Sequence, residues 1–265
     1  MGIFKKKSAV SAPTSSIDKS RILHAESAFV VKETYKTLRT NIMFALPNND
    51  EEPLGKVIVL TSAVPGEGKT TICLNTAITF AQTGAKVLLI DSDLRIPKIH
   101  KYFGIDGKTG FSDVLGGFAN VQNVIVPIKE YNLDCIPGGQ IPPNPAELLG
   151  SKTTANLLNE LKQIYDYIII DTPPVTVVAD ALALAPIASG VVLVAREKYT
   201  PNAAVREVIQ SLKFANAKIL GIVNNCAATS QLTYKKPGLT SRYLHGYKAN
   251  YRYYHYGYSA SKLKK

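Results

Sequence analysis

At residues 63–70 the chain reads Ala63-Val64-Pro65-Gly66-Glu67-Gly68-Lys69-Thr70. This segment follows the pattern G-x-x-x-x-G-K-[ST] of a phosphate-binding loop, except that Ala63 stands at the first position. An apolar strand, Lys56–Thr61, precedes the loop, and a helix is predicted after it over Thr70–Thr83, ended by Gly84. Strand, loop and helix together predict one unit of an α/β nucleotide-binding fold.

The loop also predicts how a nucleoside triphosphate would be held. Gly66 and Gly68 allow backbone N–H groups to turn towards phosphates, and the start of the helix adds its dipole. Lys69 is expected to bridge the β- and γ-phosphates, and the Thr70 hydroxyl is expected to hold Mg²⁺. A glycine-rich turn without a ligand is the alternative. The residues expected to contact ATP in this loop are Pro65, Gly66, Glu67, Gly68, Lys69, Thr70 and Thr71.

Beyond the loop, apolar runs rich in Val and Ile alternate with helical segments. The sequence predicts strands at Lys86–Asp91, Leu133–Pro137, Tyr167–Asp171, Val191–Ala195 and Ala217–Val223, and helices over 145–165, 179–188 and 201–215. Such runs are typical of a parallel sheet that is covered on both faces. Since crossovers are right-handed, the predicted fold class is α/β, a doubly wound and mostly parallel sheet like that of P-loop NTPases.

Three carboxylates follow predicted buried strands, at the edge where open α/β sheets bind ligands. Asp91 and Asp93 end the strand that begins at Lys86, and Asp171 ends the strand that begins at Tyr167. Acids at this edge can bind a divalent cation and accept a proton. Asp91 and Asp93 are two residues apart and would point to opposite sides of an extended segment, so they are not expected to share one task. For Asp91 and Asp171 the alternative is a helix N-cap.

The net charge of +11 is concentrated at the ends of the chain. Residues 1–40 hold eight Lys/Arg and three Asp/Glu, and residues 231–265 hold eight Lys/Arg and no acid, so the middle is almost neutral. Basic ends fit an anionic surface or an acidic partner. We predict a flexible arm over 1–20, a folded domain over 21–230 and a disordered tail over 231–265.

The tail carries closely spaced tyrosines, whose hydroxyl groups can accept a phosphoryl group. They are Tyr243, Tyr247, Tyr251, Tyr253, Tyr254, Tyr256 and Tyr258. Each phosphotyrosine adds about −1.5 to −2 charges, so full modification would reverse the sign of the tail. Tyrosines mixed with Lys and Arg can also stack on single-stranded nucleic acid. The chain has no other nucleic-acid motif, so no specific nucleic acid is expected as a partner.

The sequence favours a cytoplasmic protein. No apolar run approaches the roughly 20 residues that cross a bilayer, so membrane association is expected through a partner or a charged surface. Cys73, Cys135 and Cys226 follow no metal-ligand spacing, and no signal peptide precedes them. Packing in the core is the simplest explanation of these cysteines.

Taken together, the motifs resemble the bacterial tyrosine kinase family, often called BY-kinases, from about residue 26 to the end. The Walker A segment is Ala63–Thr70, the Walker A′ segment is Leu88–Arg95, and the Walker B segment is Ile168–Pro173. Residues 139–149 and the tail tyrosines also match the family. The resemblance implies a P-loop kinase whose fold is unrelated to that of eukaryotic protein kinases.

The resemblance implies an enzyme that uses ATP and Mg²⁺ to phosphorylate tyrosines, mainly on the tail of a neighbouring copy. It also implies control of capsule or exopolysaccharide synthesis and export. In the branch without its own membrane spans, the kinase docks on a transmembrane activator of the chain-length-determinant class. A cognate phosphotyrosine phosphatase is expected as a further partner.

The same resemblance assigns roles to residues outside the loop. Asp91 is the candidate base for the attacking tyrosine, and Asp93 and Asp171 would organise Mg²⁺ with Thr70. Apart from the resemblance, the chemistry of phosphoryl transfer suggests that Arg95, like Lys69, would stabilise charge on the transferring group. The expected adenine contact is Asn225, with Asn224 as the alternative.

An N-terminal helix is predicted over 26–46 and is stopped by Pro47. The family's oligomerisation signature on this helix is E-x-x-R-x-x-R, and the chain has Glu33, Lys36 and Arg39 at these positions, which share one helix face. Lys keeps the charge of Arg but lacks the planar fork that binds a carboxylate bidentately. A ring-shaped homo-oligomer is the expectation, and an ordinary solvated charged face is the alternative.

A P-loop ATPase switch of the partition or cell-division positioning type is the main alternative function. Such proteins dimerise on ATP and transfer no phosphate to protein. They usually place a second lysine near the start of the loop, where this chain has Val64, and they lack a tyrosine tail. Both features favour the kinase. A metal-cluster carrier of the same superfamily would require paired cysteines.

Overall fold

The computed structural model describes residues 19–47 and 54–227. Within these ranges the strands are β1 Lys56–Ser62, β2 Val87–Asp91, β3 Val126–Ile128, β4 Leu133–Ile136, β5 Tyr167–Asp171, β6 Gly190–Arg196 and β7 Ile219–Asn225. They form one sheet in the order β3-β4-β2-β5-β1-β6-β7. All neighbouring strands are parallel except β3 and β4, which are antiparallel. The predicted doubly wound, mostly parallel sheet is confirmed.

The helices lie on both faces of this sheet. They are α1 Phe29–Ala45, α2 Lys69–Ala81, α3 Ile99–Phe103, α4 Phe111–Leu115, α5 Val121–Val124, α6 Pro145–Leu149, α7 Lys152–Leu161, α8 Asp180–Leu184 and α9 Asn202–Phe214. Short 3₁₀ turns occur at Lys19–Arg21 and Ala185–Ile187. Residues 1–18 of the predicted arm over 1–20, and the whole predicted tail over 231–265, lie outside the described residues.

Strand β1 shows how the sheet divides the core into two layers. Because alternate side chains of a strand point to opposite faces, Val57 and Val59 pack on one side, with α7 and α9, while Ile58 and Leu60 pack on the other, with α2. All four side chains are fully buried. Burial on both faces explains why this strand has a continuous apolar sequence instead of an alternating one.

Helix α2 is buried almost all round, because the sheet covers one side and α1 covers the other. Asn75 of α2 is buried and holds both the segment before α1 and helix α1 itself in place. Its Oδ1 accepts a hydrogen bond from the Leu23 N–H (2.8 Å), and its Nδ2 donates to the Arg21 carbonyl (2.9 Å) and to Tyr35 Oη (3.0 Å). Arg39 of α1 adds a bond from Nη1 to the Thr79 carbonyl (2.9 Å).

Two parts of the fold differ from the sequence prediction. The helix predicted over 145–165 is two helices, because Gly150 and Ser151 separate α6 from α7, and the Ser151 hydroxyl caps α7 by accepting from the Thr154 N–H (3.2 Å). The elements α3, α4, α5 and β3 were not predicted. Each of them has five residues or fewer, which is too short for a clear apolar period.

We predict that Asn75→Ala lowers the free energy of unfolding by about 1–3 kcal/mol, since the change leaves the buried N–H of Leu23 without its acceptor and removes the bonds to the Arg21 carbonyl and to Tyr35 Oη. Urea unfolding followed by circular dichroism measures the effect. Asn156→Ala is the matched control, because Asn156 lies exposed on α7. An equal loss in both variants would contradict the structural role of Asn75.

Candidate active site

The phosphate-binding loop leaves β1 at Ser62 and enters α2 at Lys69. Gly66 and Gly68 have φ angles of 84° and 87°, in the left-handed region that favours glycine. Gly68 is also the N-cap residue of α2. The predicted strand-loop-helix unit is therefore confirmed, and the loop delivers its lysine at the amino end of a buried helix.

Glu67, which was predicted among the ATP-binding residues, turns its side chain into the protein. Its Oε2 accepts from the Val64 N–H (2.8 Å), and its Oε1 accepts from the Thr200 hydroxyl. The side chain is buried. It closes the turn between Val64 and Glu67 and ties the loop to the segment after β6.

Asn225 lies against the same loop. Its Nδ2 donates to the Glu67 carbonyl (2.8 Å), and a Cβ added at Gly68 would collide with this Nδ2. The backbone of the loop and the end of β7 are thus in direct contact. Asn224 is exposed. The role of Asn225 as the adenine contact stays a prediction.

Lys69 lies between two carboxylates that come from neighbouring strands. Its Nζ is 3.4 Å from Asp93 Oδ2, 3.5 Å from Asp171 Oδ1 and 3.4 Å from Thr70 Oγ1. Burial opposes the charged form of Lys69, but the carboxylates, Asp171 first, raise the pKa of its ammonium above the ordinary value. The lysine is therefore held as a cation at the carboxyl edge of the sheet.

The two carboxylate oxygens of Asp171 differ, because one accepts a hydrogen bond and the other accepts none. The Thr70 hydroxyl donates to Oδ2 (2.7 Å), whereas Oδ1 is buried and accepts no hydrogen bond. Burial raises the pKa of Asp171 above its ordinary value, although Lys69 and Thr70 oppose the rise. This oxygen faces the Lys69 ammonium at 3.5 Å without a hydrogen bond, and with the Thr70 hydroxyl and the Asp93 carboxylate beside it the group fits a divalent cation.

No group of three His, Cys, Asp or Glu within residues 19–47 and 54–227 is placed to hold a metal ion. The residues that fit Mg²⁺ here are Thr70, Asp93 and Asp171. Mg²⁺ is commonly bound by one or two carboxylates together with substrate phosphates and water, so a nucleotide would have to complete this site.

Asp91 is fully buried and serves the start of α3. Its Oδ2 accepts from the N–H groups of Lys98 (2.8 Å) and Ile99 (2.9 Å), and its Oδ1 accepts from the Asp93 N–H (3.3 Å). Burial, followed by the charge of Asp171, raises the pKa of Asp91 to about 7. Asp91 thus binds the amino end of α3, although the N-cap residue of that helix is Lys98, and its role as a base stays a prediction.

Arg95 pairs with Asp180, a residue that the sequence analysis did not single out. Nε and Nη2 of Arg95 each lie 3.0 Å from an oxygen of Asp180, and this fork raises the pKa of the guanidinium above its ordinary value. Asp180 is fully buried at the start of α8, whereas the Arg95 side chain is 40% exposed. Arg95 thus reaches the site with part of its charge already neutralised.

A cleft of about 320 Å³ lies above the carboxyl edge of the sheet. Its wall includes the loop over 65–71 with Asp93 and Arg95, and also Pro173 and Pro174 from the segment after β5. Asp91, Asp171 and Asn225, which were also predicted as site residues, are not part of this wall. The predicted oligomerisation residues Glu33, Lys36 and Arg39 lie on α1, and the tail tyrosines lie outside the described residues.

Three contacts of the site could not be read from local sequence. Asp180 lies 85 residues after Arg95, Thr200 lies 133 residues after Glu67, and Tyr199, which donates from Oη to the Pro65 carbonyl (3.0 Å), lies 134 residues after its partner. The only local signal for Asp180, Tyr199 and Thr200 was that these residues follow the ends of β5 and β6. That position marks the ligand-binding edge in general but identifies no partner.

Loop, lysine, carboxylates and sheet edge together define a P-loop nucleotide-binding protein. A sequence model of the ParA family, described as NUBPL iron-transfer P-loop NTPase, matches residues 54–239. The tyrosine-protein kinase YwqD of Bacillus subtilis (strain 168) is 39% identical over 211 residues, which are 80% of this chain and 87% of that protein. The chain belongs to the family of bacterial tyrosine-protein kinases.

Two further comparisons agree with this family. The kinase domain of the Escherichia coli tyrosine kinase ETK superposes with a TM-score of 0.73 at 31% identity, over 87% of this chain and 88% of that one. The putative tyrosine-protein kinase EpsB of Ralstonia solanacearum is 36% identical over 86% of this chain. The chain spans only 29% of that longer relative.

We predict that Gly68→Ala weakens nucleotide binding at least about tenfold, since the new Cβ would displace Asn225 and force the loop out of its path. Gly84→Ala is the matched control, because Gly84 has the same φ of 87° but open space around it. Both variants carry the backbone strain of a left-handed alanine. Titration with a fluorescent ADP analogue should therefore separate them, and equal affinities would contradict the contact.

Proposed function

We propose that the protein is an ATP-dependent tyrosine kinase that phosphorylates its C-terminal tyrosine cluster in trans and thereby regulates capsule or exopolysaccharide synthesis and export. The observation that carries this proposal is the Lys69 ammonium, held between Asp93 and Asp171 beside the phosphate-binding loop. A tyrosine-rich segment follows in the same chain. The kinases named above support the class of reaction, and the choice of acceptor is the part to be tested.

The chain's own residues would position the phosphates. Backbone N–H groups of the loop and the dipole of α2 favour the anionic groups, and Lys69 would exchange part of its contact with the carboxylates for the β- and γ-phosphates. Thr70, Asp93 and Asp171 would hold Mg²⁺, which neutralises charge on the phosphates when it is bound. Positioning and charge stabilisation of this kind are the main requirements of phosphoryl transfer.

The acceptor tyrosine needs a base, because its free pKa is near 10. We keep Asp91 in this role, since a carboxylate whose pKa is raised to about 7 suits proton transfer near neutral pH. Its oxygens are enclosed by backbone N–H groups of Asp93, Lys98 and Ile99. This role therefore requires the turn between β2 and α3 to open when the acceptor binds.

The proposed partners follow from the proposed kinase function. A transmembrane activator of the chain-length-determinant class would recruit the kinase to the inner face of the cell membrane, and a phosphotyrosine phosphatase would reverse the modification. Among the described residues, no helix is long and apolar enough to span a membrane. The basic arm and tail give the chain charge that fits such an anionic surface.

Helix α1 supports the proposed ring-shaped homo-oligomer, with one change to the predicted signature. Glu33 and Lys36 form an exposed ion pair (2.8 Å), while Arg39 is used inside the subunit, against α2. Val30 and Phe44 of the same helix are 64% and 86% exposed, so α1 also presents apolar surface. A second copy would cover that surface.

Phosphorylation mapped by mass spectrometry tests the kinase. Purified chain is incubated with Mg-ATP, with and without the cytoplasmic end of a candidate activator, and Lys69→Met is the control. We expect phosphate on the tail tyrosines of the wild-type chain and none on the variant, because Lys69 is needed to stabilise the negative charge of the phosphoryl group during transfer. ATP hydrolysis without phosphotyrosine, even with activator, would favour an ATPase switch like other ParA-type proteins.

A charge reversal tests the role of α1. We predict that Glu33→Lys shifts the protein from the assembled to smaller species, since it replaces an attractive pair with two like charges on the proposed contact face. Light scattering after size-exclusion chromatography measures the mass. Glu160→Lys, on the exposed side of α7, is the control. Unchanged assembly in Glu33→Lys would remove the signature from the interface.

A further inference from the structure

The segment between β6 and α9 packs directly on the phosphate-binding loop. Thr200 bonds to the Glu67 carboxylate, and Arg196 Nη1 donates to the Gly66 carbonyl (3.4 Å). The segment is itself a tight turn, in which the Thr200 hydroxyl accepts from the Arg196 N–H (2.7 Å). Its side chains therefore contact the loop that binds phosphate and restrict its conformation.

Tyr199 is one of the exposed residues of this turn. The side chain is 51% exposed, yet its Oη donates to the Pro65 carbonyl (3.0 Å). Gly66 lies at the hydroxyl end of this side chain, because a Cβ added there would be 3.1 Å from Oη. A surface hydrogen bond between neutral groups is readily exchanged for water, so the hydroxyl can leave the loop.

A phosphoryl group on Tyr199 would change both the bond and the charge at this place. Phosphotyrosine has no O–H to donate to the Pro65 carbonyl, and it carries about −1.5 to −2 charges. The Arg196 guanidinium lies 5.3 Å from the ring centroid and can pair with the new phosphate. That pairing would withdraw Arg196 from the Gly66 carbonyl, and the added anion would repel the phosphates of a nucleotide on the loop.

We propose that Tyr199 is a phosphorylation site of this kinase, and that its modification releases the turn from the phosphate-binding loop and weakens nucleotide binding. The inference rests on the proposed tyrosine kinase function, because a second copy of the chain supplies the phosphoryl group. In the transfer, the bond from the γ-phosphorus of ATP to the bridging oxygen breaks and a bond to Tyr199 Oη forms. ADP leaves, and the phenolic proton passes to a base of the donor copy or to water.

The first experiment locates the phosphate. Wild-type chain and a mass-tagged Lys69→Met chain are mixed with Mg-ATP, and tryptic peptides of the inactive chain are analysed. Cleavage after Lys198 and Arg206 releases residues 199–206, in which Tyr199 is the only tyrosine. We expect phosphate on this peptide as well as on the tail.

The outcomes separate this inference from the function on which it rests. Tail phosphotyrosine without phosphate on residues 199–206 would overturn the Tyr199 site and leave the kinase intact. No phosphotyrosine anywhere in the sample would overturn both.

The second experiment measures the consequence without relying on the kinase. Phosphotyrosine is incorporated genetically at position 199, and the affinity for a fluorescent ADP analogue is compared with that of Tyr199→Phe and of a chain with phosphotyrosine at position 258. We expect the modification at 199 to weaken binding at least about tenfold, and Tyr199→Phe to change it less than about threefold.

The two reference proteins separate charge from position. Phosphotyrosine at 258 adds the same charge elsewhere in the chain, so a loss that occurs only at 199 supports the switch. Equal binding in all three proteins would overturn it. A similar loss in Tyr199→Phe would show that the lost hydroxyl, and not the phosphate, is responsible, and would also overturn it.

Discussion

A buried ammonium between two buried carboxylates sets the conditions for the rest of this domain. Charges are costly to remove from water, and the cost is offset only if the partners are close and well placed. Lys69 comes from the loop, Asp93 from just beyond β2 and Asp171 from the end of β5. The three meet because β5 is bonded to β1 on one side and to β2 on the other, with Asp171 in register with both Leu60 and Asp91. The order of the central strands is thus what makes the site possible.

The loop that carries Lys69 depends on the second half of the chain for its shape. The Glu67 side chain is held by Thr200, and the Glu67 carbonyl is held by Asn225. These partners lie after β6 and at the end of β7, so the loop is complete only when that side of the sheet has formed. This arrangement couples nucleotide binding to residues that need not touch the nucleotide. The positive φ angles of Gly66 and Gly68 therefore do not fix the shape of the loop by themselves.

The sequence was most informative where an apolar run or a motif extends over several residues. The apolar runs predicted the six strands with parallel neighbours within one or two residues, and the motifs located Lys69, Thr70, Asp93 and Asp171 at one edge of the sheet. The prediction was least informative for pairs that are far apart in sequence. The Arg95–Asp180 fork and the Arg39 bond to α2 depend on tertiary contacts that no local pattern encodes. Asp91 shows a third limit, because its position was predicted but its bonds to α3 depend on a helix too short to be recognised.

The two edges of the sheet are built differently, and this affects how the sheet can grow. At one edge, β3 has three residues, runs antiparallel to its neighbour and has the exposed Pro127 at its centre. Proline donates no hydrogen bond, so this edge is a poor template for another strand. At the other edge β7 has seven residues and, within the described part of the chain, pairs only with β6. Any strand added from outside, by self-association or by a partner, would therefore extend the sheet on the β7 side, next to Asn225 and the nucleotide site.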